Sequence, residues 1–463
     1  MATHHDATEI YRLIITRRDA TEILLLPNGS DWTLPRVEVH KQHRVAEQLT
    51  AQTQKGWGLE TCCLFVPSSR TSGRNGEAMC AVIESVTHNG KAPAGTYWVP
   101  RTVATGRGVA EEAGAIRESL AELDSYARGE KLGPFARPGW LRELFEWAQE
   151  QVSPLGLRVT GQFRQLNASP TFSLLRLTTT DGAFWFKATG EPNSDELPVS
   201  LLLGRLFPKH VPRILGVHPS WNGWLSEEAS GTVLEESSDF SDWERVAREL
   251  AELQIASIGK AAELLEGKCR DLRLPELAKR IDPFLARMAE FMAAQEKPSP
   301  APLVASELAS LREGLKESFS LLQSFRLPDT LGHIDCNPGN VMLSSNSCVF
   351  LDWAEGCVSN PLITFEYLRE HFTRSAVREP AAVERLTAAY VRPWTSFFSP
   401  DDLRRALAVS SLIAVFVCAI ASDAWSVHDS IHSQALAGRF RSLTRRMYRE
   451  AIRAAAGSAL CLD

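Results

Sequence analysis

The residues best placed to do chemistry lie in one short run, 333–340, which reads His-Ile-Asp-Cys-Asn-Pro-Gly-Asn. Asp335 and Asn340 stand five apart around a Pro338-Gly339 turn, and Asp352 closes the apolar stretch 348–351. Phosphoryl transfer asks for such a set: one carboxylate to accept or orient the proton of an attacking hydroxyl, and a carboxylate with an amide to hold Mg2+ against nucleotide phosphates. The order His-x-Asp, Asn, then Asp after an apolar strand is that of kinase-type sites. The Pro-Gly pair supplies the turn that brings Asn340 back toward Asp335. A metallohydrolase site built on His333 and Asp335 competes for the same residues, as does a chance gathering of polar side chains on surface turns.

A second constellation lies upstream. Residues 171–178 and 183–188 are apolar runs around an Asp181-Gly182 turn, which predicts a hairpin. Lys187 sits near the end of its second strand, where a kinase lysine contacts the α- and β-phosphates. Glu196, nine residues on, opens an apolar helix with Pro198 in its first turn and would pair with Lys187. Glu191 and Asp195 are alternative partners. A lone strand lysine is more often a solvated edge residue, and the helix-opening glutamate is what argues against that here. No glycine-rich loop precedes the hairpin: residues 166–171 read Leu-Asn-Ala-Ser-Pro-Thr, leaving Ser169, Thr171 or nearby amides to cradle phosphate.

The segment 333–365 resembles the aminoglycoside phosphotransferase/choline kinase-like family, and the likeness extends over about 150–463. The resemblance implies a bilobal protein-kinase-like fold, ATP and Mg2+ as cofactors, and a small-molecule hydroxyl as acceptor. It implies Asp335 as the catalytic aspartate, His333 as a brace for the loop, and Asn340 and Asp352 as Mg2+ ligands. Residues 211–234 resemble the last N-lobe strand and hinge, which implies adenine hydrogen-bonded to backbone at Glu228 and Ala229. Residues 248–257 resemble the first C-lobe helix, with Gln254 where a histidine is common. Asn337 stands where a second histidine is frequent, and Asn360 and Thr364 replace a pattern that usually carries two aspartates. A catalytically weak pseudokinase-type nucleotide-binding or scaffold protein is the alternative. A protein kinase ranks last, because no arginine follows His333 and no Ala-Pro-Glu segment follows Asp352. Glu355, Glu366, Glu370 and Asp423 are candidate acids on the acceptor side, or ordinary helix-face charges.

These residues need elements to hold them. Residues 11–16, 22–26, 61–66, 79–86 and 96–100 read as strands, 45–55 and 108–127 as helices, and 68–76 as a Ser/Gly/Asn-rich loop. Glycine and proline concentrate in 129–139, which reads as a linker, and 140–152 carries apolar residues at helical spacing. From 242 the pattern is helical, broken by a β-rich insert at 341–353. The expected fold is α+β: a small α/β domain (1–128), linker (129–139), β-rich kinase-like N-lobe (140–231) and helical C-lobe (232–463). Residues 9–127 resemble a Nudix hydrolase fold on 31–39, 46–60 and 97–104. With Gly56 on the Nudix glycine, Leu49, Thr50, Thr53 and Gln54 occupy the positions of metal-binding glutamates, and Arg36 replaces a glycine. None of the four is a hard carboxylate ligand, so the resemblance implies a degenerate module without diphosphate hydrolysis.

Composition bounds the rest. At 463 residues, two or three domains are expected, and 44% hydrophobic with 23% charged residues is ordinary for a folded soluble chain. A net charge of -6 with interspersed signs gives no basic stripe for nucleic acid. Nine cysteines, none at CxxC spacing, suggest free thiols in a reducing cytoplasm. No signal-peptide pattern opens the chain. The apolar run 412–421 is shorter than the about 20 residues of a membrane span, so it reads as a buried helix.

Overall fold

The computed structural model describes residues 8–41, 43–67, 79–86, 90–105, 112–375, 377 and 380–460. The loop expected at 68–76 and the start of the helix expected from 108 lie outside them. The chain divides into two compact units, Met1–Leu197 with Arg213–Glu228, and Pro198–Pro212 with Ala229–Asp463.

The first unit holds two sheets. Strand Thr8–Thr16 is central in the first: it runs parallel to Met79–Ser85 and antiparallel to Arg36–His40 and Glu22–Asn28. Covered on both faces, it carries a continuous apolar run, Leu13, Ile14 and Ile15, all fully buried. The second sheet is antiparallel in the order Ile214–Val217, Gly223–Glu227, Ala183–Ala188, Ser173–Thr179, Val159–Ala168. Strand Ser173–Thr179 alternates buried and half-buried positions, the mark of a sheet with one core face. Its hairpin turns on Gly182, whose φ of +80° suits glycine.

The two sheets are fastened together. The buried Gln165 amide accepts from Cys63 N–H at 2.7 Å and donates to Cys63 C=O at 2.9 Å, mimicking a strand pairing. Within the glycine- and proline-rich segment 129–139, residues 129–132 are exposed, and its one aromatic, Phe135, is buried. That ring meets Trp140 at 5.1 Å and Trp221 at 5.3 Å, edge to face, and Phe135 N–H donates to Pro170 C=O. Helix Trp140–Val152 starts at Gly139, whose N–H donates to Glu84 Oε2 at 2.9 Å.

Glu84 is buried, and burial pushes its carboxyl up to about 7 from 4.5, against the Gly139 N–H, Arg18 and Arg142. Between those two values the unfolded chain releases the proton more readily than the folded one, so stability falls as pH rises through the window. The loss is on the order of 3 kcal/mol. Glu84→Gln keeps an acceptor for Gly139 and removes the charge. Urea melts of the full chain should therefore show the variant more stable by about that amount at pH 8 and matched to wild type near pH 4.5. Parallel pH profiles would contradict this.

The second unit is mostly helical, with two small sheets. Thr232–Val233, Val341–Leu343 and Cys348–Phe350 form one, which is the β-rich insert expected at 341–353. Arg270–Leu272, Gly356–Ser359 and Thr330–His333 form the other. Helix Pro400–Ile420 opens on a Ser399 cap, its Oγ accepting from Asp402 N–H at 3.1 Å. It is long and apolar enough to cross a membrane, yet most of it is buried: Phe416 packs edge to face on Phe284 and Phe319. Seven of the eight described cysteines are buried, and Cys418 is half-buried.

Candidate active site

In the second unit, strand Thr330–His333 is wholly buried and pairs with Gly356–Ser359, so it delivers Asp335 two residues past a rigid edge. Gly332 is required there, because a Cβ would stand 2.5 Å from Ser359 Oγ and 2.8 Å from Cys357 Sγ. His333 is buried, and its contacts fix the ring. Its N–H donates to Thr364 Oγ1 at 3.0 Å, Nδ1 accepts from Asp335 N–H at 3.2 Å, and Nε2 lies 2.9 Å from Leu351 C=O. A neutral imidazole with its proton on Nε2 satisfies both ring contacts. One histidine thus ties the Asp335 loop to the residue before Asp352. With both ring nitrogens engaged it has no lone pair for a metal, and among the described residues no three His, Cys, Asp or Glu converge. The metallohydrolase reading fails on these contacts.

The Asp335 carboxylate is exposed and held by two amides. Oδ1 accepts from Asn337 Nδ2 at 2.9 Å, and Oδ2 accepts from Asn340 Nδ2 at 3.1 Å. Asn337 Oδ1 in turn accepts from Gly339 N–H at 2.9 Å, capping the short turn Pro338–Asn340. Asn340 C=O accepts from Leu351 N–H at 2.8 Å, which fixes the loop beside the strand that ends before Asp352. Asp352 has φ 60° and ψ 64°, a left-handed conformation that costs a non-glycine residue energy. That turn redirects the chain at the carboxylate.

The departures noted in the sequence have structural work. Asn360 caps helix Pro361–Arg374 by accepting from Leu362 N–H at 3.1 Å, and Thr364 holds His333. Gln254, fully buried, donates to Pro361 C=O at 3.0 Å and accepts from Tyr390 O–H at 2.7 Å. Of the four candidate acceptor-side acids, Glu366 is bonded to Ser410 and Arg369, and Glu370 to Arg446. Glu355 is the one whose charge is felt with those of Asp335 and Asp352; burial pushes its carboxyl up, against Arg270 at 2.6 Å. Sequence reasoning missed His371, whose imidazole is held below its ordinary value by burial and by Arg374, despite the Asp335 and Glu235 carboxylates.

In the first unit, Lys187 Nζ lies 2.5 Å from Glu196 Oε1, with the Glu196 side chain only 2% exposed. Glu196 opens helix Glu196–Leu206, where the helix N-terminus favours a carboxylate. Of its rivals, Glu191 instead accepts from Ser194 in an exposed turn. Ser169 lies in the turn between the first two strands of the second sheet, and its Oγ accepts from Phe172 N–H at 3.0 Å. At the other end of that sheet, Glu228 takes a fork from Arg176, Nε at 2.5 Å and Nη2 at 2.8 Å, and the Trp185 Nε1–H at 3.0 Å. The Arg176 guanidinium holds the Glu228 carboxyl below its usual range. The boundary between the two units falls between Glu228 and Ala229.

Solved structures similar to the chain include an ethanolamine kinase from Plasmodium vivax, 16% identical, covering 65% of this chain and 84% of that one, TM-score 0.46. A macrolide 2'-phosphotransferase from Brachybacterium faecium is 14% identical, covering 65% and 98%, TM-score 0.44. A choline/ethanolamine kinase family protein from Mesorhizobium loti is 16% identical, covering 67% and 98%, TM-score 0.44. No curated protein matches the chain. Residues 220–397, the span that holds His333, Asp335, Asn340 and Asp352, match the Phosphotransferase enzyme family, APH.

Proposed function

We propose that the protein is an ATP-dependent phosphotransferase that acts on a hydroxyl of a small molecule. The observation that carries this reading is the locked loop: two amides aim the Asp335 carboxylate while His333 binds the same loop to the residue before Asp352. The match of residues 220–397 to a phosphotransferase family supports it. In the transfer, the acceptor oxygen bonds to the γ-phosphorus as the bond to the β–γ bridging oxygen breaks. ADP departs, and the hydroxyl proton passes to Asp335. Asp352 and the Asn340 amide oxygen would hold Mg2+, which supplies charge neutralisation on the phosphates when bound. Such sparse protein ligation suits that ion, whose remaining ligands come from water and phosphate.

Lys187, oriented by Glu196, would contact the α- and β-phosphates. The Ser169 turn would cover them through its shape, since its hydroxyl and the N–H groups of Ser169 and Phe172 already close the turn. Backbone at Glu228 and Ala229 would take the adenine edge. We read residues 140–231 as N-lobe and 232–463 as C-lobe, acting in the cytoplasm, where cysteines stay reduced. Residues 1–128 would be a degenerate Nudix-like module. On its helix Val45–Trp57, Leu49 is buried, Thr50 bonds back to Ala46 C=O, and Thr53 bonds Thr61, so no carboxylate cluster forms on these positions.

A second reading, nucleotide binding without turnover, is favoured by the turn at Ser169, where the chain has no glycine and the N–H groups of Ser169 and Phe172 already go to Phe172 C=O and Ser169 Oγ. Magnesium titration separates the two. On the enzyme reading, Asp352→Asn lowers acceptor-dependent ADP release by about 10²-fold or more and raises the Mg2+ needed. Tight ATP binding with no acceptor-dependent release across a broad panel of alcohols would favour the second.

A further inference from the structure

A cavity of about 780 Å³ lies within the first unit, between helix Val45–Trp57 and strands Val159–Ala168 and Ser173–Thr179. Its helix wall is Glu47, Thr50, Ala51 and Gln54, the i, i+3, i+4 and i+7 positions that share one face. The apolar packing of this helix lies on its other side, where Ala46 and Leu49 are buried. A helix laid on a sheet ordinarily closes the interface with apolar side chains. Here a polar helix face and a polar sheet face leave a space of ligand size between them.

The charges in that space are already matched. On the sheet wall Arg164 and Arg176 are directly opposed across the two strands, a pairing that on its own costs stability. Each is neutralised from a different element. Arg164 Nε donates to Glu47 Oε1 at 2.5 Å, on the helix wall, and Arg176 forks onto Glu228. Glu60, also on the lining, meets no cation among the described residues, and burial raises its carboxyl. What is left unspent is neutral. The side chains of Gln54, Gln162 and Thr178 make no hydrogen bond among the described residues, so two amides and a hydroxyl present donors and acceptors to the space.

We propose that this cavity is a binding site for a neutral, polyhydroxylated molecule the size of a sugar or a nucleoside. Hydroxyl groups satisfy donors and acceptors alike, and their bonds to the paired Arg164 and Glu47 are charge-assisted. An anionic ligand would meet Glu47 and Glu60, and an ammonium would meet two guanidinium groups, so neither is favoured. Thr50 and Gln54 stand where the Nudix resemblance would put metal-binding glutamates. In this role the stripped helix holds a ligand instead of cleaving one. None of the lining residues is assigned to phosphoryl transfer, and the site stands whether or not the chain transfers phosphate.

Saturation-transfer NMR on the full chain tests this with a panel of neutral mono- and disaccharides and nucleosides. Inorganic pyrophosphate and spermidine serve as the anionic and cationic probes. At least one neutral member should bind saturably, and Gln54→Ala should weaken it about three- to tenfold. Ala51→Trp fills the cavity from an exposed helix position, and it should abolish that binding while the melting temperature holds. The proposal is overturned if no neutral member binds, or if binding survives Ala51→Trp. It is overturned equally if pyrophosphate or spermidine, and no neutral member, binds in a way that Ala51→Trp blocks. Should Ala51→Trp melt early, the double variant Gln54→Ala with Gln162→Ala decides, because it removes only the free amides. Loss of binding by that variant at an unchanged melting temperature supports the site, and undiminished affinity overturns it.

Discussion

Replacing Asp335 with Ala will lower kcat by about 10³-fold while ATP binding stays at the wild-type level. The residue is exposed and its partners are two amides that water can satisfy, so truncation costs little stability. What it removes is the acceptor for the hydroxyl proton, at the moment the hydroxyl attacks. Asp335→Asn should be as inactive for a second reason. An amide at 335 presents N–H where it meets the N–H of Asn337 or Asn340. Asn337 is held by Gly339, so Asn340 is the one that must turn. Turning it moves its oxygen, the atom proposed for Mg2+, away from its present direction. The Asn variant should thus need more Mg2+ than the Ala variant, a contrast that a simple loss of charge would not produce.

Replacing Lys187 with Met will destabilise the fold by about 3–5 kcal/mol and abolish measurable transfer. The pair is almost dry, with side-chain exposures of 13% for Lys187 and 2% for Glu196. Removing the ammonium takes a charge partner from a buried carboxylate, a loss that the helix N-terminus offsets only in part. The double variant Lys187→Met with Glu196→Gln should recover most of that stability, since it removes both charges. Activity should not return with it, because the group proposed to meet the phosphates is still missing. Thermal melts and turnover on the three variants separate the roles. A double variant that regains activity with its stability would show the pair to be structural only.

Much of this site is readable from sequence because its parts are local. His333, Asp335, Asn337 and Asn340 act on each other across seven residues, and type and spacing specify the turn between them. Lys187 and Glu196 are similarly close, one near a strand end and the other at the next helix start. The choice of Glu196 over Glu191 needed the structure, which shows Glu191 turned to Ser194. What spacing cannot show is a partner brought in by the fold. Thr364 reaches His333 from 31 residues away, Arg176 reaches Glu228 from 52, and Gln165 reaches Cys63 from 102.

The segment 129–139 shows a different limit. Its glycines and prolines read as a linker, and they give no sign that Phe135 within it packs into an aromatic cluster with Trp140 and Trp221. Ser169 shows a third: a serine in a turn is read as a phosphate ligand or as a turn former, and its bond to Phe172 N–H assigns the hydroxyl to the turn. The apolar run 412–421 is the buried end of a longer helix whose first turns carry Asp401, Asp402, Arg404 and Arg405. Composition alone marks only the part with no charges.

The most direct measurement is product identification. Full-length protein with ATP, Mg2+ and a panel of small hydroxyl-bearing metabolites is followed by phosphorus NMR and mass spectrometry. For at least one acceptor, ADP and a phosphomonoester of that acceptor should appear in equal amounts, and both should vanish with Asp335→Ala. Release of ADP with inorganic phosphate and no ester, or ester formation that survives Asp335→Ala, would contradict the account.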